Sequence, residues 1–221
     1  MKKVLMTICV LAAMTGFVSA SSLDVTGAAA LEGSFGMAVT VDNTGVNAYV
    51  QDATPAAESI YRATFLIDLN NTFSQATATA NGNNFITVAE AISNNPQTPP
   101  PVWSLALRMY LMNRTVEPYC RARLGVYSNI NQRLLGPPVG IDCDGTVEVT
   151  IEWTAGAANT GLARVTSVSP VIGTRVGERV VSNHLLDVSF FSIGHVAGNP
   201  PATIAGTIYW DSFESYRTLA P

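Results

Sequence analysis

The segment 119–127 (YCRARLGVY) carries a tyrosine and two arginines at a spacing of two residues. In an extended strand, Tyr119, Arg121 and Arg123 share one face, and the apolar residues between them share the other. A tyrosine can act as a general base, and a guanidinium binds carboxylates. The spacing therefore fits proton abstraction from a uronate sugar. A polar outer face on an exposed strand gives the same pattern, so both interpretations stay open.

Other catalytic patterns are missing from the sequence. Glu148 and Glu152 lie four residues apart on one strand, so their Cα atoms are about 13 Å apart, which is long for a cooperating carboxylate pair. The Glu-x-Asp-x-x-Glu run of glucanases is absent, and no Gly-x-Ser-x-Gly accompanies His184 or His195. We therefore interpret Glu148 and Glu152 as part of a solvated face and His195 as a structural or loop residue.

Three aromatic residues are the candidates for binding a ligand: Tyr110, Tyr127 and Trp210. Sugar rings stack on aromatic faces, and the strand pattern does not assign these three to the core. The same pattern assigns Trp103 and Trp153 to the core. Aromatics scattered over the core and the rim of the domain are the alternative interpretation of all three candidates.

The N-terminus predicts export. Lys2 and Lys3 precede an uncharged apolar run at 4–17, followed by a small-residue cleavage site, VSA. The apolar run is shorter than the roughly 20 residues of a membrane-spanning helix. We predict a signal peptide over 1–20, a flexible segment over 21–34 and a single β-domain over 35–217. The expected location is periplasmic or extracellular, without membrane insertion.

Charge excludes two classes of partner. The chain has a formal net charge of −4, and removal of Lys2 and Lys3 leaves ten basic residues, all arginine, against 16 acidic ones. An acidic chain without a basic stripe is a poor match for nucleic acid or an anionic membrane. Glycan or a cell-surface protein is the expected partner, and the oligomeric state stays open.

Two cysteines remain after the predicted cleavage, Cys120 and Cys143. In an exported chain such a pair predicts a disulfide, and a loop of about 24 residues corresponds to about 3–3.5 kcal/mol of stabilisation. Free thiols or a catalytic cysteine are the alternatives. Two histidines and two cysteines are too few to indicate a zinc site.

Alternation of apolar and polar residues predicts strands throughout the chain, with no amphipathic helix of 12 or more residues. Segment 85–92 fits a strand or a short helix, and 128–138 reads as a loop. The sequence thus predicts an all-β fold, a two-sheet antiparallel β-sandwich. Its predicted strands are 35–41, 46–50, 60–69, 103–111, 119–127, 146–155, 162–168, 185–193 and 203–216.

Three windows carry a family resemblance: GVNAYVQDATPAAESIYRATFLID (45–68), TVEVTIEWTA (146–155) and FFSIGHVAGNPPATIAGTIYWDSFESYR (190–217). They resemble a group of uncharacterised exported bacterial proteins that are similar to concanavalin-A-like, laminin-G-like jelly rolls. The resemblance implies a two-sheet antiparallel sandwich. It implies no activity, because this fold supports lectins, lyases, glucanases and structural domains alike.

The resemblance also suggests a metal pair. In many carbohydrate-binding jelly rolls, an aspartate on the last strand and a carboxylate near the first strand hold a structural calcium. Asp211 and Glu32 occupy these positions here, so calcium is the candidate cofactor. A hydrogen bond from a neighbouring loop to Asp211 is the alternative.

These observations favour an exported, non-catalytic β-sandwich protein with a structural or interaction role, binding glycan or a surface partner. The alternative is a polysaccharide-active, lyase-like enzyme on the same fold, using Tyr119 with Arg121 or Arg123.

Overall fold

Strands dominate the computed structural model, which describes residues 22–42, 46–70, 72, 85–94, 104–112, 120–197 and 205–217. Among these residues the helical structure is one 3-10 turn, Gly27–Ala29, and none of them forms a helix long and apolar enough to cross a membrane. The strands are β1 (Ser22–Thr26), β2 (Gly36–Val41), β3 (Ala48–Asp52), β4 (Ile60–Asp68), β5 (Phe85–Ser93), β6 (Ser104–Met112), β7 (Cys120–Tyr127), β8 (Arg133–Ile141), β9 (Val147–Thr154), β10 (Gly161–Ser169), β11 (Gly173–Val181), β12 (Phe190–Ala197) and β13 (Gly206–Tyr216).

Side-chain alternation explains why these segments are strands. In β4 every second side chain is buried from Tyr61 to Ile67, and in β9 the same holds from Val147 to Trp153. Successive side chains of a strand point to opposite faces. A segment with this alternation buries all its apolar side chains on one side if it forms a strand. The predicted core position of Trp153 is confirmed.

The strands form two antiparallel sheets that pack face to face. One sheet has seven strands in the order β1-β2-β13-β4-β9-β10-β11, and the other has six in the order β3-β12-β5-β6-β7-β8. Contact between the sheets is direct, since Tyr61 of β4 meets Phe191 of β12 with ring centroids 5.2 Å apart. The predicted two-sheet antiparallel sandwich is confirmed.

One side of the sandwich is closed by bonds between the sheets. The Ser167 hydroxyl of β10 donates to the Gly140 carbonyl of β8 at 2.8 Å, and the Ser169 hydroxyl donates to the buried Asp142 carboxylate. The predicted disulfide is confirmed: Cys120 at the start of β7 is bonded to Cys143 in the turn between β8 and β9, with a Cα–Cα distance of 5.1 Å.

The structure corrects the prediction of a loop at 128–138, because β8 begins inside it. Pro137 and Pro138 argue against a central strand. However, β8 is the edge strand of the six-stranded sheet, and its pairing with β7 shifts between Arg123 and Gly125. A proline lacks only a backbone donor, and an edge strand with an irregular ladder tolerates that loss.

Four further segments differ from the prediction, resolve an open choice or lie outside the described residues. The undecided segment 85–92 is a strand, β5. The strand predicted at 185–193 begins only at Phe190, and its first part is a turn in which the Leu186 N–H donates to the Asn183 carbonyl at 2.9 Å. The predicted signal peptide lies outside the described residues. The segment 21–34 contains β1 and the 3-10 turn.

Candidate active face

Four arginines gather on the outer face of the six-stranded sheet: Arg108 of β6, Arg121 and Arg123 of β7, and Arg133 of β8. On β6 and β7 the intervening side chains, including Leu107, Met109, Ala122 and Leu124, are buried in the core, so the arginines must point outward. We call these four residues the arginine face.

The arginine face follows the strand register. Across β6 and β7, Arg121 lies opposite Met112, Arg123 opposite Tyr110, and Arg108 opposite Gly125. One step further along β7, Arg133 of β8 lies opposite Tyr127. Positions 121, 123, 125 and 127 of β7, about 6.7 Å apart, therefore each have one arginine on them or on the residue opposite. This is a row of positive charge parallel to the strand.

Tyr110 lies at the centre of the arginine face. Its hydroxyl accepts a long hydrogen bond of 3.4 Å from Arg133 Nη1, and the Arg133 guanidinium carbon lies 5.8 Å from the ring centroid. Phe85 of β5 meets the ring edge-on, with centroids 5.3 Å apart. The ring lies diagonally over Gly125, since a Cβ added there would be 2.8 Å from Tyr110 Cε2. Tyr110 is thus held from several sides and is only 4 % exposed.

Tyr127 completes a pair of phenols. Burial raises the pKa of Tyr127 to about 12, with its hydrogen bond to Tyr110 acting in the same direction and the charges of Arg108 and Arg133 opposing both. The Tyr127 phenol consequently keeps its proton at neutral pH. It can donate a hydrogen bond or a proton, and it is a poor base.

Glu90 of β5 is the carboxylate next to the arginine face. It lies opposite Arg108 in the register and forms an ion pair with Arg108 Nε. Burial disfavours the charge of Arg108, but the charge and the hydrogen bond of Glu90 raise the pKa of Arg108 above its ordinary value. Glu90 thereby fixes one guanidinium at the centre of the sheet.

The two outer faces of the sandwich differ in charge. Four of the nine arginines in the described residues belong to the arginine face, next to Glu90. The outer face of the seven-stranded sheet instead carries two arginines with four glutamates: Arg62 and Arg164, with Glu148, Glu152, Glu178 and Glu214. In an acidic protein, this places local positive potential where the tyrosines lie, and such a face attracts anions.

The structure brings together two of the three predicted ligand-binding aromatics. Tyr110 and Tyr127 are neighbours on the arginine face, but both are buried, and what they offer is a pair of hydroxyls and not an open stacking platform. Trp210 is elsewhere. It is 1 % exposed in the core, with its ring centroid 5.1 Å from that of Phe65, so it cannot stack on a ligand at the surface.

The predicted trio of Tyr119, Arg121 and Arg123 is described in part. Tyr119 lies outside the described residues. Arg121 and Arg123 do share the outer face, and Arg123 Nε donates to the Gly136 carbonyl at 2.7 Å.

Sequence reasoning missed Arg108, Arg133, Glu90 and Gly125. The spacing of Arg108 and Tyr110 on one strand face was a usable signal, whereas Arg133 was hidden in the segment read as a loop.

Asp211 and Glu32 are brought close to each other. Asp211 Oδ2 accepts the N–H groups of Leu31 and Glu32, both at 2.8 Å, and Oδ1 accepts the N–H of Ser212 at 2.7 Å. Burial alone would raise the pKa of Asp211, but these backbone donors lower it below its ordinary value. The carboxylate thus ties the loop before β2 to β13, as the hydrogen-bonding alternative expects.

A metal at this place remains a prediction. Ser212 donates from its hydroxyl to Glu32 Oε2 at 3.1 Å, so the two carboxylates are joined through a serine. In the part of the chain that the structure describes, no group of three or more His, Cys, Asp or Glu side chains is placed to hold a metal ion.

The histidines belong to other parts of the fold. His195 is fully buried on β12, opposite Ala48 of β3. His184 lies in the loop before β12, where its Nδ1 is 2.9 Å from Asn129 Nδ2.

Comparison with solved structures identifies the architecture. The chain superposes on an endo-β-1,4-glucuronan lyase from the fungus Trichoderma reesei with a TM-score of 0.66 and 13 % identity, covering 90 % of this chain and 87 % of that one. The fold is a concanavalin-A-like jelly roll. A legume lectin-like domain from Entamoeba histolytica agrees, with a TM-score of 0.51 and 8 % identity over 88 % of this chain and 89 % of that one. The resemblance seen in the sequence is confirmed.

The jelly-roll structures also correct the functional expectation. An alginate lyase from Aplysia kurodai matches with a TM-score of 0.59 and 8 % identity, covering 88 % of this chain and 86 % of that one. With two polysaccharide lyases among these matches, the expectation of a non-catalytic structural or interaction protein is wrong, and the lyase-like alternative is better supported. No family model and no curated protein matches the chain.

Proposed function

We propose that this protein is a polysaccharide-active enzyme of the lyase type and that the arginine face is its active face. The observation that carries the proposal is the position of Tyr110, whose hydroxyl meets Arg133 and Tyr127 in the middle of a row of guanidinium groups. An elimination next to a carboxylate needs both a cation for the carboxylate and a group that moves protons. The arginine face supplies both kinds of group in one place.

The arginines have the binding role. Arg133 is exposed, and Arg121 and Arg123 are half-buried, so their guanidinium groups can meet a ligand from solvent. A guanidinium bound to a uronate carboxylate stabilises the negative charge that develops when the neighbouring C5 proton is removed. Because Arg133 also contacts the Tyr110 hydroxyl, a carboxylate held by Arg133 is brought next to that hydroxyl.

The tyrosines have the proton-transfer role. In the elimination, a base takes the C5 proton, the electron pair of the C5–H bond forms the C4–C5 double bond, the C4–O4 bond breaks, and an acid gives a proton to the leaving O4. Tyr110 is the candidate group in contact with substrate, and Tyr127, protonated at neutral pH, is the positioning residue that donates toward Tyr110. Tyr119, the base expected from the sequence, stays a candidate for the first proton transfer.

Export belongs to the same proposal. A signal peptide over 1–20 would deliver the domain at 35–217 to the periplasm or beyond, where polymeric glycans are found. The disulfide between Cys120 and Cys143 fits an oxidising compartment.

The test is an elimination assay on alginate, polyglucuronate and pectate, which follows the ultraviolet absorbance of the new double bond. Tyr110→Phe should lower kcat by about 10²- to 10⁴-fold, because it removes the hydroxyl and keeps the ring. Tyr209→Phe, a half-buried tyrosine on β13 in the other sheet, is the matched control and should keep full activity.

A second variant tests the binding role. Arg133→Gln should raise KM for a polyuronate about tenfold, and Arg175→Gln, an exposed arginine on β11, should leave it unchanged. No double-bond product from any of the three polymers, or full activity of Tyr110→Phe, would refute the proposal.

A further inference from the structure

The side of the sandwich opposite the disulfide is open. The edge strands there are β1 of the seven-stranded sheet and β3 of the six-stranded sheet. Between them lie two adjoining hollows of about 290 Å³ each, which share Val50, Ile193 and Phe213 in their walls. We call the two hollows together the open-side groove.

The open-side groove is lined by apolar side chains that water can reach. Val25 of β1 is 69 % exposed, Phe35 is 68 % exposed, Val50 of β3 is 42 % exposed and Phe213 of β13 is 36 % exposed. Single exposed apolar residues are ordinary, but four around one concave feature form a contiguous patch, which is typical of a binding surface. The floor is Trp210 and Ile193, both buried.

The rim of the open-side groove is acidic. Asp211 and Asp52 contribute to the walls of the two hollows, and Glu32 is bonded to Ser212, another wall residue. At one end, Arg217 is already ion-paired with Glu58. An occupant with positive charge would complement this rim.

The backbone also favours an extended occupant. Within the described residues, β1 is paired with β2 alone and β3 with β12 alone, so each strand has one edge without a neighbouring strand. Such edges can accept a further strand through backbone hydrogen bonds, while side chains of the added strand alternate between a floor and a rim.

We propose that the open-side groove binds an extended peptide segment of a partner protein in which apolar residues alternate with lysine or arginine. The apolar side chains enter the hollows, and the basic ones meet Asp52 and Asp211. A second copy of this chain fits poorly, because it brings the same carboxylates and a net charge of −4 to an acidic rim.

The test is fluorescence anisotropy with two labelled eight-residue peptides, one alternating valine with lysine and the other alternating valine with glutamate. The lysine peptide should bind saturably and lose affinity with added salt, and the glutamate peptide should not bind. Val50→Arg should weaken binding at least about tenfold, because it adds a like charge to the groove. Asp52→Asn should weaken it in the same direction, because it removes a carboxylate from the wall of the groove.

The matched control is Val176→Arg on β11, a comparably exposed valine on an edge strand at the closed side, which should bind as the unaltered protein does. Equal binding of both peptides, no saturable binding, or an equal effect of Val50→Arg and Val176→Arg would overturn the proposal. A concentration-dependent dimer that Val50→Arg dissociates would overturn it in favour of a second copy.

Discussion

Gly125 tests whether Tyr110 is held as tightly as the geometry indicates. A Cβ added at this position would lie 2.8 Å from Tyr110 Cε2, 3.3 Å from its hydroxyl oxygen and 3.4 Å from Arg133 Cδ. Carbon atoms in contact are ordinarily about 3.5–4.0 Å apart, so the ring of Tyr110 must withdraw by about 0.7 Å or more in Gly125→Ala. The Tyr110 hydroxyl then moves relative to Arg133 and Tyr127.

The expected cost follows from two opposing effects. Overpacking of this size costs about 1–3 kcal/mol of unfolding free energy. Replacing glycine by alanine in a strand returns about 0.5–1 kcal/mol by restricting the unfolded chain. We therefore expect Gly125→Ala to lower stability by about 1–2 kcal/mol in the otherwise unaltered protein. In a Tyr110→Ala background the clash is gone, and the same change should be neutral or slightly stabilising.

The assay is urea unfolding of the four proteins of this double-mutant cycle. A coupling energy of about 1–3 kcal/mol between positions 110 and 125 is the expected result. If Gly125→Ala costs the same in both backgrounds, within about 0.5 kcal/mol, then Tyr110 does not rest on Gly125 and the described geometry of the arginine face is wrong.

Three further predictions concern stability. Replacing Cys120 and Cys143 by alanine should lower the unfolding free energy by about 3 kcal/mol, and an unchanged melting temperature under reductant would contradict this. Because the pKa of Tyr127 is raised from 10.0 to about 12, its contribution is complete below pH 10 and is lost as pH rises from 10 to about 12. Alkaline unfolding should show a loss of about 2–3 kcal/mol that Tyr127→Phe removes, and equal slopes for both proteins would argue against the buried phenol. Asp211→Asn should cost about 1 kcal/mol, because the carboxylate accepts three backbone N–H groups at a partly exposed place. Melting with EDTA and then with calcium tests the predicted metal role of Asp211 and Glu32, which a calcium-dependent rise in Tm, abolished in the variant, would confirm.

Local alternation predicted much of the fold. The buried faces of β4 and β9 were readable because four consecutive inward positions in each are apolar, and all the residues between them except Leu66 are polar. The disulfide was readable because only Cys120 and Cys143 remain after the predicted signal peptide. In both cases the information lies within one segment or one residue type.

The arginine face depended on pairings between segments, which the sequence does not state. Tyr110 and Tyr127 were chosen as candidates, but their contact requires the specific β6–β7 register, and the contact with Arg133 also requires β8 to be a strand. Trp210 was misjudged for a related reason. Alternation left its face open, because the register of β13 shifts just after it, between Asp211 and Glu214, and its inward orientation is fixed by pairing with Met37 and Ile67.

We expect the bonds at the closed side to make that side of the sandwich less mobile than the open side. The Ser167–Gly140 and Asp142–Ser169 bonds join β10 of one sheet to β8 and the residue after it in the other, and the disulfide ties the turn after β8 to β7. On the other side the sheets end at β1 and β3. Thermal opening should therefore proceed like that of a book, with a fixed spine and a free fore-edge. Amide hydrogen exchange should be slowest in β7, β9 and β10 and fastest in β1 and β3. Strand β7 of the arginine face would then keep its register while the edges at β1 and β3 open.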